Sequence, residues 1–167
     1  MIKLTKNTHI LGGLTLALTI EKFCFSKLNM TSFEGIINVV VFYTFVGLGS
    51  IIPDIDKKNS YIGRRLPYVS KAISEKFGHR TFTHSIIFVI LVYYILKYIC
   101  INNDITFGIT IGILSHILLD MLNFQGVALL YPLNTKHKIC KIKTNSGFEK
   151  TFRGVLILAF IWISINK

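Results

Sequence analysis

Long apolar runs alternate with short polar ones along this chain, and the apolar runs approach membrane length. Five stand out: Ile10 to Phe25, Phe33 to Ile52, Thr83 to Ile101, Ile105 to Phe124 and Phe152 to Ile165. Phe33 to Ile52 meets the roughly twenty apolar residues that a helix needs to cross a bilayer, with only Glu34 charged and that at its outer end. Ile10 to Phe25 is interrupted by Glu21 and Lys22, and Phe152 to Ile165 is short. The Asn102-Asn103-Asp104 turn predicts an antiparallel hairpin of the third and fourth runs, with Tyr93, Tyr94 and Tyr98 placed as an aromatic belt would be. Tyr68 to Phe77 has amphipathic spacing, with Val69, Ala72, Ile73 and Phe77 on one side, and predicts a short helix on the membrane surface. The pattern therefore predicts an all-α, polytopic membrane protein of about five transmembrane or membrane-embedded helices and one interfacial helix, in a single domain over 1–167.

Composition agrees, since 16% of residues are charged against roughly a quarter in soluble domains, and the mean hydropathy is +0.55. A net charge of +11 raises the question of nucleic acid, but the basic residues sit in loops between apolar runs rather than along one face, which excludes it. The expected partners are anionic headgroups and a membrane lipid or lipid-linked substrate. Fifteen of the 19 basic residues fall at the N-terminus, in the Pro53 to Phe82 and Gln125 to Thr151 loops, and at the start of the last run. The positive-inside rule then places the N-terminus and both long loops on the cytoplasmic side of an inner or plasma membrane. Cys24, Cys100 and Cys140 show no metal-type pairing, and their odd number argues for reduced, packed thiols. Lys3 and Lys6 before an apolar run have the charge order of a signal peptide, but no small-residue cleavage site follows, so the segment is expected in the mature chain.

The chemistry-bearing residues gather at one end of this topology. His9 opens the first run, Asp54 and Asp56 follow the second, and His79 and His84 begin the third. His116 and Asp120, four residues apart, share a face near the cytoplasmic end of the fourth run. Burying that pair in lipid without a partner would cost several kcal/mol. Imidazole and carboxylate donors without thiols suit a divalent metal ion, zinc first and then manganese or iron. Four histidines and three aspartates exceed one tetrahedral shell, so either two ions share the site or one is accompanied by a general base and orienting partners. Asp56 and His79 are the candidates for proton transfer, Arg80 for gripping phosphoryl oxygens, and Glu149, just before the last run, for joining the site. Thr83 reads as an N-cap, His137 as a solvated loop residue, and Glu21, Glu34, Glu75 and Asp104 as solvated or interfacial charges.

The blocks Thr8-His9 with Gly12-Gly13, Gly49-Ser50-Ile51-Ile52-Pro53-Asp54-Ile55-Asp56, Gly78-His79-Arg80-Thr81-Phe82-Thr83-His84-Ser85 and Ser115-His116-Ile117-Leu118-Leu119-Asp120 resemble, in order, the LexA-regulated, membrane-bound metal-dependent hydrolases of the YdjM-like inner-membrane family. The resemblance implies a helical membrane protein and a hydrolase, with His9, Asp54, Asp56, His79, His84, His116 and Asp120 at the metal site. It also aligns Thr144 to Glu149 with the family's Gly-and-Glu stretch, and Tyr131-Pro132-Leu133 with a short motif after the fourth helix. Thr81 departs from the glycine that many members carry after the His-Arg pair.

The expected function is thus a metal-dependent hydrolase with a cytoplasm-facing site, acting on a lipid-linked phosphate ester. The alternative is a membrane metal-ion carrier or sensor using the same ligands, although the outer half of the chain offers almost no ligating residues for an exit path. A basic protein that only recruits anionic lipid leaves the His/Asp convergence unexplained.

Overall fold

The computed structural model describes residues 4–24, 32–99, 102–133, 135–139 and 146–166. Six α-helices follow in order: α1 Lys6–Cys24, α2 Phe33–Gly49, α3 Pro67–Phe77, α4 Ile86–Ile99, α5 Asn103–Met121 and α6 Ser146–Ile165. Two 3-10 turns, Ile52–Asp56 and Phe82–His84, join α2 to the first long loop and lead into α4. Among the described residues there is no strand, only an isolated bridge between Val127 and His137. Cys100, Cys140 and the side chain of Cys24 lie outside the described residues.

Local chemistry sets most boundaries. Ser32 caps α2 by accepting from the Gly35 N–H, and the Asn102 side chain caps α5 by accepting from Asp104 and Ile105. Pro67 occupies the first turn of α3, where its missing N–H costs nothing, and Gly78 ends the helix at φ 79°, a conformation that glycine adopts freely. The helix α6 begins six residues before its apolar run because its polar first turn continues the helical hydrogen bonds, which a hydropathy reading does not see.

Helix α5 is the centre of the bundle, buried nearly all round and packed against α2, α1 and α4. The approach of α2 to α5 is close enough that a Cβ at Gly112 would meet the Val46 carbonyl and the Ser50 N–H. A Cβ at Gly13 on α1 would strike the Ser50 hydroxyl. Small residues at such crossings let helix backbones approach where no hydrophobic drive separates protein from lipid. Around this seam Ala17, Phe42, Val46 and Ile111 form one apolar cluster, and Ile109, Ile113, Ile117 and Val127 another.

The outer faces are apolar and uncovered: α4 has no buried residue, and Ile37 and Val40 of α2 and Leu158 and Trp162 of α6 are exposed. Two segments, Phe33–Asp56 and Asn103–Met121, are long and apolar enough to cross a membrane, and Ile86–Ile99 is apolar but shorter. The expectation of five spans is therefore met by length and composition for two of them; α1 is broken by Glu21 and Lys22, and α6 begins with a polar turn.

Two expectations change once packing is known. Glu21 is not solvated: it is buried between α1 and α2, where the Tyr43 hydroxyl donates to its carboxylate. Helix α3 has Val69 and Ala72 exposed and Ile73 and Phe77 partly covered by the protein. Thr83 does not cap α4; the Ser85 hydroxyl does, accepting from the Phe88 N–H at 3.2 Å.

Candidate metal centre

The start of α1, the end of α2, the turn before α4 and the end of α5 meet at one end of the bundle, as the alternating helix directions require. His9, Asp54, His84, His116 and Asp120 converge there in two overlapping groups. In one, ligand atoms of His9, His116 and Asp120 all lie within 4.8 Å of one another; in the other, those of Asp54, His84 and His116 do. His116 belongs to both. All but Asp54 are fully enclosed, and Asp54 is half-buried at the edge.

Each imidazole is oriented by its surroundings. The ring nitrogen Nδ1 of His116 lies 2.7 Å from the Ser50 carbonyl oxygen, brought there by the glycine seam between α2 and α5. That contact requires Nδ1–H to donate and leaves Nε2 as a lone-pair donor. His84 holds Nδ1 3.2 Å from Asp56 Oδ2, which turns its Nε2 to within 3.5 Å of Asp120. His9 stacks on His116 with ring centroids 3.9 Å apart, its Nε2 3.7 Å from Asp120. Carboxylate or carbonyl on one ring nitrogen and an open second nitrogen is the arrangement that metal-binding histidines use.

The nitrogens His9 Nδ1, His84 Nε2 and His116 Nε2 are buried and find no hydrogen-bond partner among the described residues. Orphaned polar atoms cost roughly 1–3 kcal/mol each when buried, and three clustered in one place call for a ligand. A divalent cation at either group would take up the imidazole nitrogens turned toward it, so the donor set fits a metal ion, and this buried His/Asp cluster could hold one.

Asp56 and His79 stand one layer further out, in neither group. The oxygens of Asp56 are taken by the Arg80 N–H at 2.8 Å, the Thr83 hydroxyl at 2.9 Å, His79 Nδ1 at 2.9 Å and His84. Asp56 is thereby a positioning residue for His84. Asp56→Asn is expected to weaken metal binding about 10- to 100-fold, as losses of such orienting partners do. Competition with a chelator should show this, with full occupancy restored at high metal concentration; unchanged affinity would refute the positioning role.

Arg80 is held by the protein through two of its guanidinium nitrogens. Its guanidinium is buried, with Nη2 2.7 Å from Asp120 Oδ1 and Nη1 donating to Gln125 Oε1 at 3.1 Å. Its backbone adopts φ 61°, held on one side by Asp56 and on the other by the Ala128 N–H donating to its carbonyl. Glu149 does not join the cluster. From the polar first turn of α6, its Oε1 accepts from the Thr5 N–H at 2.8 Å and the Thr8 hydroxyl at 2.9 Å, which caps α1 and steadies His9 beside it. Burial opposes charge on Glu149, but the Thr5 and Thr8 donors outweigh it and hold the carboxyl below its usual range. His137 is part of the bridge to Val127 and lies in neither group.

Sequence reasoning missed Ser50 and Gln125 as site-builders. Ser50 acts through its carbonyl, which any residue carries, so only the glycine pattern around it was a signal. Gln125 was visible as a lone amide between Phe124 and Gly126.

The sequence profile of the YdjM inner membrane protein family matches residues 4–166. The chain belongs to that family. It is 33% identical over 157 residues to YvsG of Bacillus subtilis (strain 168), described as an uncharacterized protein, covering 93% of this chain and 91% of that one. It is 38% identical over 120 residues to the inner membrane protein YdjM of Escherichia coli (strain K12), covering 69% of this chain and 61% of YdjM, and equally to YdjM of Shigella flexneri. No solved structure matches significantly. Membership in the YdjM inner membrane protein family agrees with the two segments, Phe33–Asp56 and Asn103–Met121, that are long and apolar enough to cross a membrane.

Proposed function

We propose that this YdjM-family chain is a membrane-embedded, metal-dependent hydrolase acting on a lipid-linked phosphate ester. The observation that carries the reading is the convergence of three buried imidazole nitrogens without a hydrogen-bond partner beside Asp120 and Asp54. His9, His84, His116, Asp120 and Asp54 hold the ion, with zinc the best fit to the donors and manganese or iron next. The sharing of His116 between two groups favours one ion or a closely spaced pair. When bound, the metal supplies a water acidified toward neutrality for attack on the ester. His79, 31% exposed and paired with Asp56, connects the site to solvent and is placed to pass a proton outward. Arg80 keeps Asp120 in position.

All five long helices cross or enter the membrane in this reading, with the N-terminus, both long loops and the site on the cytoplasmic side. The alternating helix directions that gather the site at one end support it. A carrier or sensor using the same ligands has less support, because beyond the cluster the core is mainly apolar, with Ala17, Val46, Ile109 and Ile113, and the one carboxylate buried there among the described residues, Glu21, is engaged by the Tyr43 hydroxyl.

The test is elemental analysis of detergent-purified protein. About one to two equivalents of a transition metal in the wild type, with loss in Asp54→Ala, is the expected result. A wild type that stays metal-free after metal is supplied removes the chemistry and with it the hydrolase.

A further inference from the structure

Arg80 is engaged by Asp120 and Gln125 inside the site, and a second set of cations stands at its edge. A cleft of about 540 Å³ lies between the start of α1 and the loop that follows the Ile52–Asp56 turn, lined by Lys6, Asp54, Lys57, Tyr61 and Arg64 among others. Asp54 is its link to the metal centre, since the same carboxylate lies within 4.8 Å of His84 and His116 ligand atoms.

The loop is built rather than loose. The Ser60 hydroxyl donates to the Asp54 carbonyl at 2.7 Å and accepts from the Gly63 N–H at 2.9 Å, and the Arg64 N–H donates to the Ser60 carbonyl. These bonds hold Lys57 and Arg64 on one wall. On the other, the Lys6 ammonium lies 3.9 Å from the centre of the Tyr61 ring, which Arg65 also covers at 3.7 Å. No ion pair involves Lys6, Lys57 or Arg64 among the described residues, whereas Lys58 just outside is paired with Glu75. Three unneutralised cations around a cleft of this size, beside one carboxylate that a metal would claim, form an anion site.

We propose that this cleft is a phosphoryl-group subsite, in which Lys6, Lys57 and Arg64 hold the phosphate of an ester next to Asp54. The assignment of the ester as substrate rests on the hydrolase reading; binding of the phosphate does not. Tyr61, clasped by two cations, forms a fixed wall that separates the phosphate from bulk solvent. The cleft takes the place that the sequence assigned to Arg80.

Lysine reactivity tests this without turnover. Full-length protein in maltoside micelles, which contain no phosphate, is labelled with an amine-reactive ester at constant ionic strength. One arm adds inorganic phosphate and the other mixes phosphatidate into the micelle. The expected result is a selective fall in labelling of Lys6 and Lys57, on the order of tenfold at a ligand concentration about ten times its Kd. Lys71 and Lys136, outside the cleft, serve as references. Arg64→Ala should weaken the protecting ligand about tenfold, the usual loss for a hydrogen bond to a charged group. Protection by inorganic phosphate identifies the phosphoryl group as sufficient; protection by phosphatidate alone identifies a lipid phosphate. Absent protection, an equal fall at Lys71 and Lys136, or full protection in Arg64→Ala overturns the proposal. Metal content judges the hydrolase separately: a metal-free wild type with protected lysines would remove the hydrolase and leave the subsite standing.

Discussion

His116→Ala is expected to purify as a folded, membrane-inserted protein that has lost its metal and its turnover together. The ring belongs to both ligand groups, so truncating it dismantles both, and no neighbouring side chain can replace a nitrogen that α5 and the Ser50 carbonyl aim from opposite sides. Loss of an orienting partner alone costs about 10- to 100-fold in metal affinity, and loss of a ligand shared by both groups should exceed the upper figure. The fold should suffer less. The variant leaves the Ser50 carbonyl without its partner and removes the ring stacked on His9, a cost of roughly 1–3 kcal/mol for one unsatisfied buried acceptor. Elemental analysis and size-exclusion in detergent, run on the same preparation, check both halves. Wild-type metal content in this variant would show that the ion, if any, lies elsewhere.

Asp120→Ala should be the more damaging substitution for stability, because Asp120 neutralises Arg80. The two are 2.7 Å apart with side chains 3% exposed, so truncation strands a guanidinium charge in the interior with only Gln125 and nearby imidazoles around it. Removing one partner of a buried ion pair costs about 3–5 kcal/mol, whereas replacing both by apolar groups of similar volume is often close to neutral. The double variant Arg80→Met with Asp120→Leu should therefore recover much of the unfolding midpoint in detergent while remaining metal-free. That split separates the structural duty of Asp120 from its duty as a ligand. If the double variant is no more stable than Asp120→Ala, the ion pair is not what the loss was due to.

The convergence of His9, Asp54, His84, His116 and Asp120 was legible because it follows from parity. Long helices that alternate in direction bring the start of α1, the end of α2, the start of α4 and the end of α5 to one side, and the histidines and aspartates of the site stand at those termini. The pairing of His116 with Asp120 was legible from helical spacing alone. Family membership was legible in the same blocks. The buried Glu21 was not, because a carboxylate at the end of a broken apolar run looks solvated until α2 supplies the Tyr43 hydroxyl. Thr83 was read as a cap because any hydroxyl before a helix can be one; Ser85, two residues on, is at the geometrically correct position, which freed Thr83 for Asp56.

The sequence by itself determined the helical class, the end at which the histidines and aspartates of the site meet and the chemistry of their donors. These depend on periodicity, charge sign and residue type, which are local properties. Only the tertiary structure decided which of those residues face one another and which stand behind, with Asp56 and His79 orienting His84, Arg80 clamping Asp120 and Glu149 capping α1. Those roles turn on a few ångströms between helices distant in sequence, set by the glycine contacts of α1, α2 and α5 around Ser50, and a residue's type carries no record of that separation.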